Sequence, residues 1–177
     1  MHWSCRDTES FTEEELQCAY SQLSPSRKAH IDRLRLQEDK TRSLAAELLV
    51  RELLQSLGIT TAVLHRHLNG QPYLTGCDLF VSISHSDRMV ACALSEGPIG
   101  IDIERIRPLD LKICRHLCTE EEKAYCGEDL HRLFEIWTAK EAWFKKQGTG
   151  ITDLKSVNIL PLPRQYHQLA DYIVCII

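Results

Sequence analysis

The sequence lacks any apolar run approaching the roughly 18 residues that a membrane-spanning helix requires, and the segment after Met1 is too polar for a signal peptide. It also lacks an excess of positive charge. Its 21 Lys and Arg residues against 25 Asp and Glu residues give a net charge of -4, which argues against a general nucleic-acid-binding protein. We therefore expect a cytoplasmic protein that has neither a membrane nor a nucleic acid as its partner.

Cysteine is abundant, with eight residues, yet the C-x-x-C spacing that is typical of zinc and redox sites is missing. Cys114 and Cys118 are four residues apart on a predicted helix, without a second matching pair. We therefore expect free thiols, several of them acting as small apolar core residues. His65 and His67 form another isolated pair, which is more typical of a solvated loop or strand edge.

The length of 177 residues and the hydrophobic content of 44% suit one compact domain or two small lobes that share a core. Capping-box, proline and apolar-stripe patterns predict five helices. They run from Thr12 to about Gln22, from Ser24–Pro25 onward, from about Glu38 to Leu57, from Thr119 to about Tyr125, and from about Asp129 to Lys146.

Strands are predicted where apolar or alternating residues lie between turn-forming residues. These segments are Ile59–His67, Leu79–Ser84, Met89–Leu94, Ile99–Arg105, Ser156–Leu160 and Tyr172–Ile177. Each half of the chain thus contains helical segments, one long helix and then strands, and the strand sequences MVACAL and YIVCII resemble each other. This repeat predicts two similar α+β lobes, residues 1–97 and 98–177, that meet near residue 97.

The strand sequence IGIDIER carries two carboxylates on one face. Asp102 and Glu104 point to the side opposite Ile99, Ile101 and Ile103, because side chains alternate along a strand. Residues two apart lie roughly 6.5–7 Å from each other, which suits two oxygen ligands that lean toward one cation. The same spacing describes two solvated charges on a half-exposed strand, and the strand alone favours that interpretation.

Glu141 stands out on the predicted helix that contains WTAKEAWFKK. At about 100° per residue, it falls near the middle of an apolar stripe. That stripe consists of Leu130, Leu133, Phe134, Trp137 and Phe144. A carboxylate that faces a core is unfavourable unless it is paired, protonated or bound to a metal. An ion pair with Lys145, one turn further along, is one explanation, and a functional carboxylate is the other.

Together, Asp102, Glu104 and Glu141 would provide three oxygen ligands for Mg²⁺, which usually keeps waters and takes its other ligands from substrate phosphates. Lys145 beside them would meet phosphate charge. The hydroxyls and imidazole of residues 84–86, Ser-His-Ser, suit phosphate oxygens, although a Ser-rich turn explains them equally. A basic cluster, which alone is typical of a solvated helix face, consists of Arg27, Lys28, Arg33 and Arg42. The whole set describes a site for a diphosphate ligand bridged by Mg²⁺ between two lobes.

The order and spacing of these motifs resemble the 4′-phosphopantetheinyl transferases, in their longer, monomeric surfactin-synthetase-activating type. The motifs are Ser-His-Ser at 84–86, Gly-Ile-Asp-Ile-Glu at 100–104 and Trp-x-x-Lys-Glu-x-x-x-Lys at 137–145, and the likeness extends over Ser24–Arg51. The resemblance implies a pseudo-dimer of two similar lobes, each a small antiparallel sheet packed on a long helix, with coenzyme A at their junction. It implies transfer of the 4′-phosphopantetheine arm of coenzyme A to a serine of an acyl, peptidyl or aryl carrier protein. The second product would be adenosine 3′,5′-bisphosphate.

Carried over by position, the resemblance implies that Asp102, Glu104 and Glu141 bind Mg²⁺, with Mn²⁺ as an alternative ion, and that Glu141 is also the general base. Lys145 matches a lysine that contacts phosphate and aids the leaving group. Glu122 matches an acidic position after the metal strand. The implied contacts to coenzyme A are Arg27, His30, Arg42, Ser43, Gln71, Pro72, Ser84, His85 and Lys145, of which Arg27, His30, Ser84 and His85 match positions at its 3′-phosphate end.

Two departures from the family pattern concern coenzyme A binding. Gln71 stands where the family has the lysine of Gly-Lys-Pro, and a basic position is occupied by His30, which is neutral much of the time near pH 7. These changes leave open a different class of protein, a non-catalytic module that binds coenzyme A or a carrier protein. A Mg²⁺-dependent phosphodiesterase that removes pantetheine from a carrier would use similar ligands.

An acidic carrier protein would require a local basic and apolar surface despite the negative net charge. The segment after the IGIDIER strand is one hypothesis for that surface, and an ordinary amphipathic helix is the alternative. Its residues are Arg105, Arg107, Lys112 and Arg115 together with Leu109, Leu111 and Ile113.

Overall fold

Two three-stranded antiparallel sheets, each packed against one long helix, form the framework of the computed structural model, which describes residues 1–150 and 153–177. The helices of this part are α1 (Glu13–Ser21), α2 (Pro25–Asp32), α3 (Gln37–Ser56), α4 (Cys114–Leu117), α5 (Glu120–Cys126) and α6 (Leu130–Gln147). The strands are β1 (His2–Asp7), β2 (Val63–Arg66), β3 (Pro72–Thr75), β4 (Phe80–Ser86), β5 (Met89–Ser95), β6 (Ile101–Arg105), β7 (Gln165–Leu169) and β8 (Tyr172–Ile176).

Capping boxes begin α1 and α5, as predicted. The hydroxyls of Thr12 and Thr119 accept hydrogen bonds from the backbone N–H groups of Glu15 and Glu122, whose carboxylates accept in turn from the cap N–H groups. This exchange satisfies backbone donors that the first helical turn leaves unpaired. The two long helices, α3 and α6, begin and end close to the predicted residues because their apolar stripes pack on the sheets.

The sheet of the first half has the strand order β1-β5-β4, with every pair antiparallel. One face of the central strand β5 packs on α3, which places Val90, Cys92 and Leu94 against the apolar stripe of that helix. The buried residues of that stripe are Ala45, Leu49, Val50 and Leu54. A separate two-stranded hairpin, β2–β3, lies beside this sheet and contacts it through β4.

The sheet of the second half has the order β6-β8-β7 and packs on α6. Its central strand is β8, so the two similar sequences MVACAL and YIVCII form the central strands of the two sheets. The predicted fold class, two similar α+β lobes that each pack a small antiparallel sheet on a long helix, is therefore confirmed. The division of the chain near residue 97 stays a prediction.

Two strand predictions were wrong in their positions. The segment Ser156–Leu160 is not a strand, because the Ile159 backbone N–H donates 2.9 Å to a Glu122 carboxylate oxygen rather than to a neighbouring strand. The third strand of this sheet is β7, whose sequence QYHQL has too few apolar residues to predict it. The predicted strand Ile59–His67 is shortened to β2, the part that pairs with β3.

The strand β6 is buried on both faces. Ile101 and Ile103 pack against β5 and β8 between the two sheets, while α6 covers the opposite face. Asp102 is consequently only 1% exposed. The interpretation of Asp102 as a solvated charge on a half-exposed strand is therefore wrong.

The eight cysteines are free thiols, as predicted, and Cys92, Cys118, Cys126 and Cys175 are buried. Burial raises the pKa of the Cys92 thiol to about 12, so this side chain acts as a small apolar group. Within residues 1–150 and 153–177, no helix combines the length and the apolar content that a membrane crossing would require.

Candidate functional site

Three carboxylates form a cluster where α6 packs on β6. Asp102 and Glu104 of β6 and Glu141 of α6 each offer an oxygen atom, and these atoms lie within 4.8 Å of one another. The close approach depends on Gly100, since a Cβ atom there would lie 1.7 Å from the Ala142 carbonyl oxygen. The helix backbone thus rests directly on the strand that carries the other two acids.

Alternating serines of β4 join the two sheets at this cluster. Ser84 donates a hydrogen bond of 2.6 Å to Asp102, and Ser86 donates one of 2.8 Å to Glu104. The third serine, Ser82, accepts a hydrogen bond from the β6 backbone. Because β4 and β6 are edge strands of different sheets, these side chains replace a backbone ladder between them. The Ser-rich sequence therefore serves the sheet junction, and the Ser84 hydroxyl lies within the carboxylate cluster.

Lys145 and Glu141 lie one helical turn apart but contact different partners. The Lys145 ammonium donates 2.6 Å to Asp102 Oδ1 and 2.7 Å to Ser84 Oγ. The Glu141 carboxylate accepts 2.6 Å from the indole N–H of Trp137. An i,i+4 ion pair between Glu141 and Lys145 is thus the wrong explanation for the carboxylate, which belongs to the acidic cluster.

The cluster carries more negative charge than its protein neighbours neutralise. Burial, with the negative charges of Asp102 and Glu141, raises the pKa of Glu104 to about 7. Burial and Asp102 also raise the pKa of Glu141. Among the described residues, Asp102 Oδ2 is buried without a hydrogen-bond partner. Hard oxygen donors that repel one another and leave an unused lone pair fit a divalent cation.

A cleft of about 910 Å³ opens beside the cluster, between α2, α3, the β2–β3 hairpin, β4 and α6. Its size suits a ligand as large as a nucleotide cofactor. The structure brings eight of the residues predicted for the site together around it. They are Arg27, His30, Arg42, Ser43, Ser84, His85, Glu141 and Lys145.

Two predicted contacts to coenzyme A, Gln71 and Pro72, line a smaller cavity of about 290 Å³. The Gln71 amide lies against Gly148, where an added Cβ atom would be 2.8 Å from Nε2. Arg66 and Lys145 line both cavities and so lie at the boundary between them.

Arg33 of the predicted basic cluster also lines the cleft, whereas three further basic cleft residues were not assigned to the site from the sequence: His65, Arg66 and His67. The prediction of a solvated strand edge agrees with the structure, because His65 lies on β2 of the two-stranded hairpin and His67 is exposed. Both rings also stack on Tyr73 and line the cleft. Arg66 could have been found as the single Lys or Arg between Arg51 and Arg88. Its position as the single charged residue of the β2–β3 hairpin is the sequence feature that indicates it.

Two imidazoles of the cleft, those of His30 and His85, are biased toward their neutral form. Burial, Arg42 and Lys145 lower the pKa of His85. Burial, followed by Arg27 and Arg33, lowers the pKa of His30. At neutral pH both rings therefore act as hydrogen-bonding groups rather than as fixed charges.

Glu122 lies outside the cleft, in a fully buried ion pair with Lys140 of α6, at 2.7 Å. The same ammonium donates 2.6 Å to each of the Leu154 and Val157 carbonyl oxygens. The ion pair of Glu122 and Lys140 thus anchors α5, and the loop after α6, to the helix that carries Glu141.

The basic segment proposed for carrier recognition is partly engaged within the fold. Arg105 donates to Asp171 at 2.6 Å and to Asp87 at 2.8 Å. The segment's apolar residues pack against the core beside α6; they are Leu109, Leu111 and Ile113. Their contacts with the core favour a structural role for the apolar side of this segment.

Two family models together match most of the chain. Residues 98–172 match the model described as the 4′-phosphopantetheinyl transferase superfamily, and residues 9–97 match the one described as 4′-phosphopantetheinyl transferase, N-terminal. The boundary between the matches coincides with the loop before β6.

Curated relatives carry the same description. The chain is 38% identical to the 4′-phosphopantetheinyl transferase gsp of Aneurinibacillus migulanus over 64% of this chain and 51% of that protein. It is 31% identical to psf-1 of Bacillus pumilus over 73% of this chain and 60% of that protein. It is 29% identical to Sfp of Bacillus subtilis (strain 168) over 80% of this chain and 67% of that protein. The chain thus spans between about half and two thirds of the length of these relatives.

Proposed function

The chain belongs to the 4′-phosphopantetheinyl transferase superfamily, and from this premise we propose that it moves the 4′-phosphopantetheine arm of coenzyme A to a serine of an apo acyl or peptidyl carrier protein. The released product is adenosine 3′,5′-bisphosphate. The observation that carries the proposal is the cluster of Asp102, Glu104 and Glu141 at the edge of a cation-lined cleft. Phosphoryl transfer requires such a combination of hard oxygen ligands and positive charge.

In this proposal Asp102, Glu104 and Glu141 hold Mg²⁺, which the raised pKa of Glu104 and the unpartnered Asp102 Oδ2 support. When bound, the ion neutralises charge on the pyrophosphate of coenzyme A. The nucleotide end of coenzyme A lies in the large cleft against α2, α3 and β4. Its contacts there are Arg27, His30, Arg42, Ser43, Ser84 and His85.

The reaction forms a bond between the carrier serine Oγ and the phosphorus atom next to pantetheine. The bond from that phosphorus to the bridging oxygen breaks, and its electron pair leaves with adenosine 3′,5′-bisphosphate. The serine proton passes to Glu141, directly or through a water. Burial makes this carboxylate a stronger base, and the Trp137 indole fixes its orientation. Lys145 Nζ, which contacts Asp102 of the cluster, donates to the departing phosphate oxygen.

The partner and assembly assignments form part of the same proposal. The enzyme acts as a cytoplasmic monomer whose two lobes, residues 1–97 and 98–177, enclose the site at their junction. A site at the junction of the lobes is supported by the residues that meet at the cluster. Ser84 of β4 comes from the first half of the chain, and Glu141 and Lys145 of α6 come from the second.

Mass spectrometry of an apo carrier protein incubated with coenzyme A and Mg²⁺ tests the proposal. The carrier should gain one phosphopantetheine group, and Glu141→Gln should slow this gain by about 10²- to 10⁴-fold, because it removes the base. Glu135→Gln is the matched control, since Glu135 lies on α6 and accepts a hydrogen bond from Tyr125 outside the cleft. A fully active Glu141→Gln would contradict the site. Coenzyme A binding without transfer to a panel of carriers would favour the non-catalytic module.

A further inference from the structure

Arg66 differs from the other arginines of the cleft, because each of those donates at least one hydrogen bond and the Arg66 guanidinium donates none to the described residues. It ends β2, opposite Pro72 in the hairpin, and its side chain is 24% exposed. Within residues 1–150 and 153–177, its Nε is a buried donor with no hydrogen-bond partner. A buried donor without a partner is unfavourable, so this atom is suited to a ligand that enters the cleft.

The nearest carboxylate does not compensate for this charge. Glu47 Oε1 lies 4.0 Å from Arg66 Nη2, while the same oxygen accepts a 2.9 Å hydrogen bond from Arg27 Nε. Arg33 lines the same part of the cleft, and its charge acts on His30 together with those of Arg27 and Arg66. Arg27 and Arg66 thus share one carboxylate, and Arg33 adds a further positive charge to the cleft. An excess of positive charge therefore remains even when His30 is neutral.

This excess matches one group of coenzyme A better than the others. A phosphate monoester carries about −1.5 to −2 charges at pH 7 and offers three acceptor oxygens, whereas each phosphate of the pyrophosphate bridge carries a single charge. Guanidinium groups bind such an anion through paired N–H donors. The 3′-phosphate is the only monoester of coenzyme A.

We propose that Arg66 binds the 3′-phosphate of coenzyme A, together with Arg27 and His30, and that it makes the cleft selective for coenzyme A over dephospho-coenzyme A. This inference rests on the proposed function and adds a binding residue from the hairpin. Gln71, which directly precedes the first residue of β3, carries no charge and lies against Gly148. Arg66 is therefore the cation that the β2–β3 hairpin presents to the cleft.

Calorimetric titration of the complete chain with coenzyme A and with dephospho-coenzyme A tests the inference. Arg66→Ala should weaken coenzyme A binding by about 10- to 100-fold, the usual loss for a hydrogen-bonded charge, and should change dephospho-coenzyme A binding by less than about twofold. Arg66→Gln, which retains the length of the side chain, should give the same pattern and serves if the alanine variant folds poorly.

Arg132→Ala is the matched control because Arg132 is an exposed arginine at the start of α6 that lines neither cavity. It should bind both nucleotides as the unaltered chain does. The inference would be overturned if both Arg66 variants bound coenzyme A unchanged, or if they lost affinity equally for both nucleotides. Transfer by the unaltered chain would still support the proposed function in that case. An unaltered chain that neither binds coenzyme A nor modifies a carrier would overturn both.

Discussion

Replacing Lys140 with methionine should destabilise the fold by about 3–5 kcal/mol, the usual cost of removing one partner from a buried ion pair. The Lys140 side chain is fully buried, and its three N–H groups all have acceptors: Glu122 at 2.7 Å, and the Leu154 and Val157 carbonyl oxygens at 2.6 Å each. Methionine has a similar length and flexible shape, so the change removes the charge and the donors rather than the packing.

The expected magnitude follows from what remains in the interior. Glu122 would stay buried at 0% exposure, still accepting from the backbone N–H groups of Thr119 and Ile159, but without its positive partner. Two carbonyl oxygens would also lose their donor, at about 1–3 kcal/mol for each unsatisfied group. Water that enters the site would offset part of this cost, so the total destabilisation stays near the usual cost of about 3–5 kcal/mol for a broken buried ion pair.

Urea unfolding followed by tryptophan fluorescence and circular dichroism measures this loss. With a slope of about 2 kcal/mol per molar urea, the midpoint should fall by roughly 1.5–2.5 M. Thermal unfolding should shift downward by roughly 6–20 °C for a chain of this size. Lys146→Met is the control, because Lys146 is a lysine of the same helix for which the structure shows no ion pair among the described residues.

The double variant Lys140→Met with Glu122→Gln separates charge from packing. Neutralising Glu122 removes the uncompensated charge, so the double variant should be more stable than Lys140→Met alone. A loss below about 1 kcal/mol in Lys140→Met, or a double variant whose loss equals the sum of the single losses, would refute the reasoning.

The remaining predictions concern the carboxylate cluster. Gly100→Ala should destabilise the protein by at least about 1–3 kcal/mol, measured by urea unfolding, because its Cβ would lie 1.7 Å from the Ala142 carbonyl oxygen; an unchanged midpoint would contradict the packing of α6 on β6. Trp137→Phe should lower kcat about tenfold with little change in KM, since it removes the 2.6 Å hydrogen bond that orients Glu141; a loss confined to KM would argue against this role. Glu104, with its pKa raised from 4.5 to about 7, binds a proton more tightly in the folded state, so the metal-free protein should lose thermal stability as pH rises from about 4.5 to 7. Glu104→Gln should flatten that dependence, and an equally steep profile in the variant would assign it to another group.

Local patterns were sufficient to predict most of the helices and the metal-binding candidates. The capping boxes at Thr12 and Thr119 depend on contacts with a glutamate three residues later, so the spacing in the sequence is enough to predict them. Glu141 could be singled out because helical periodicity places it among apolar residues. The strand β7 was missed because its pairing with β8, rather than its own composition, makes it a strand.

Side-chain partners distant in the sequence could not be predicted in the same way. Lys145 was expected to pair with Glu141 or to meet phosphate, whereas it contacts Asp102, 43 residues away. The Ser-His-Ser motif was interpreted as a phosphate contact or a turn, and its serines also hold the two sheets together. Such contacts depend on which elements become neighbours, and periodicity within one element carries no information about that.

The sequence by itself determined the family motifs, the two-lobe α+β pattern and the choice of Asp102, Glu104 and Glu141, because these depend on residue type and spacing. Only the tertiary structure decided which charges face one another. It set Lys140 against Glu122, left Asp102 buried with an unused oxygen, and brought Arg66 beside Arg27. The physical reason is that the environment of a charge, and therefore its pKa and its need for a ligand, depends on burial and distance in space rather than on separation along the chain.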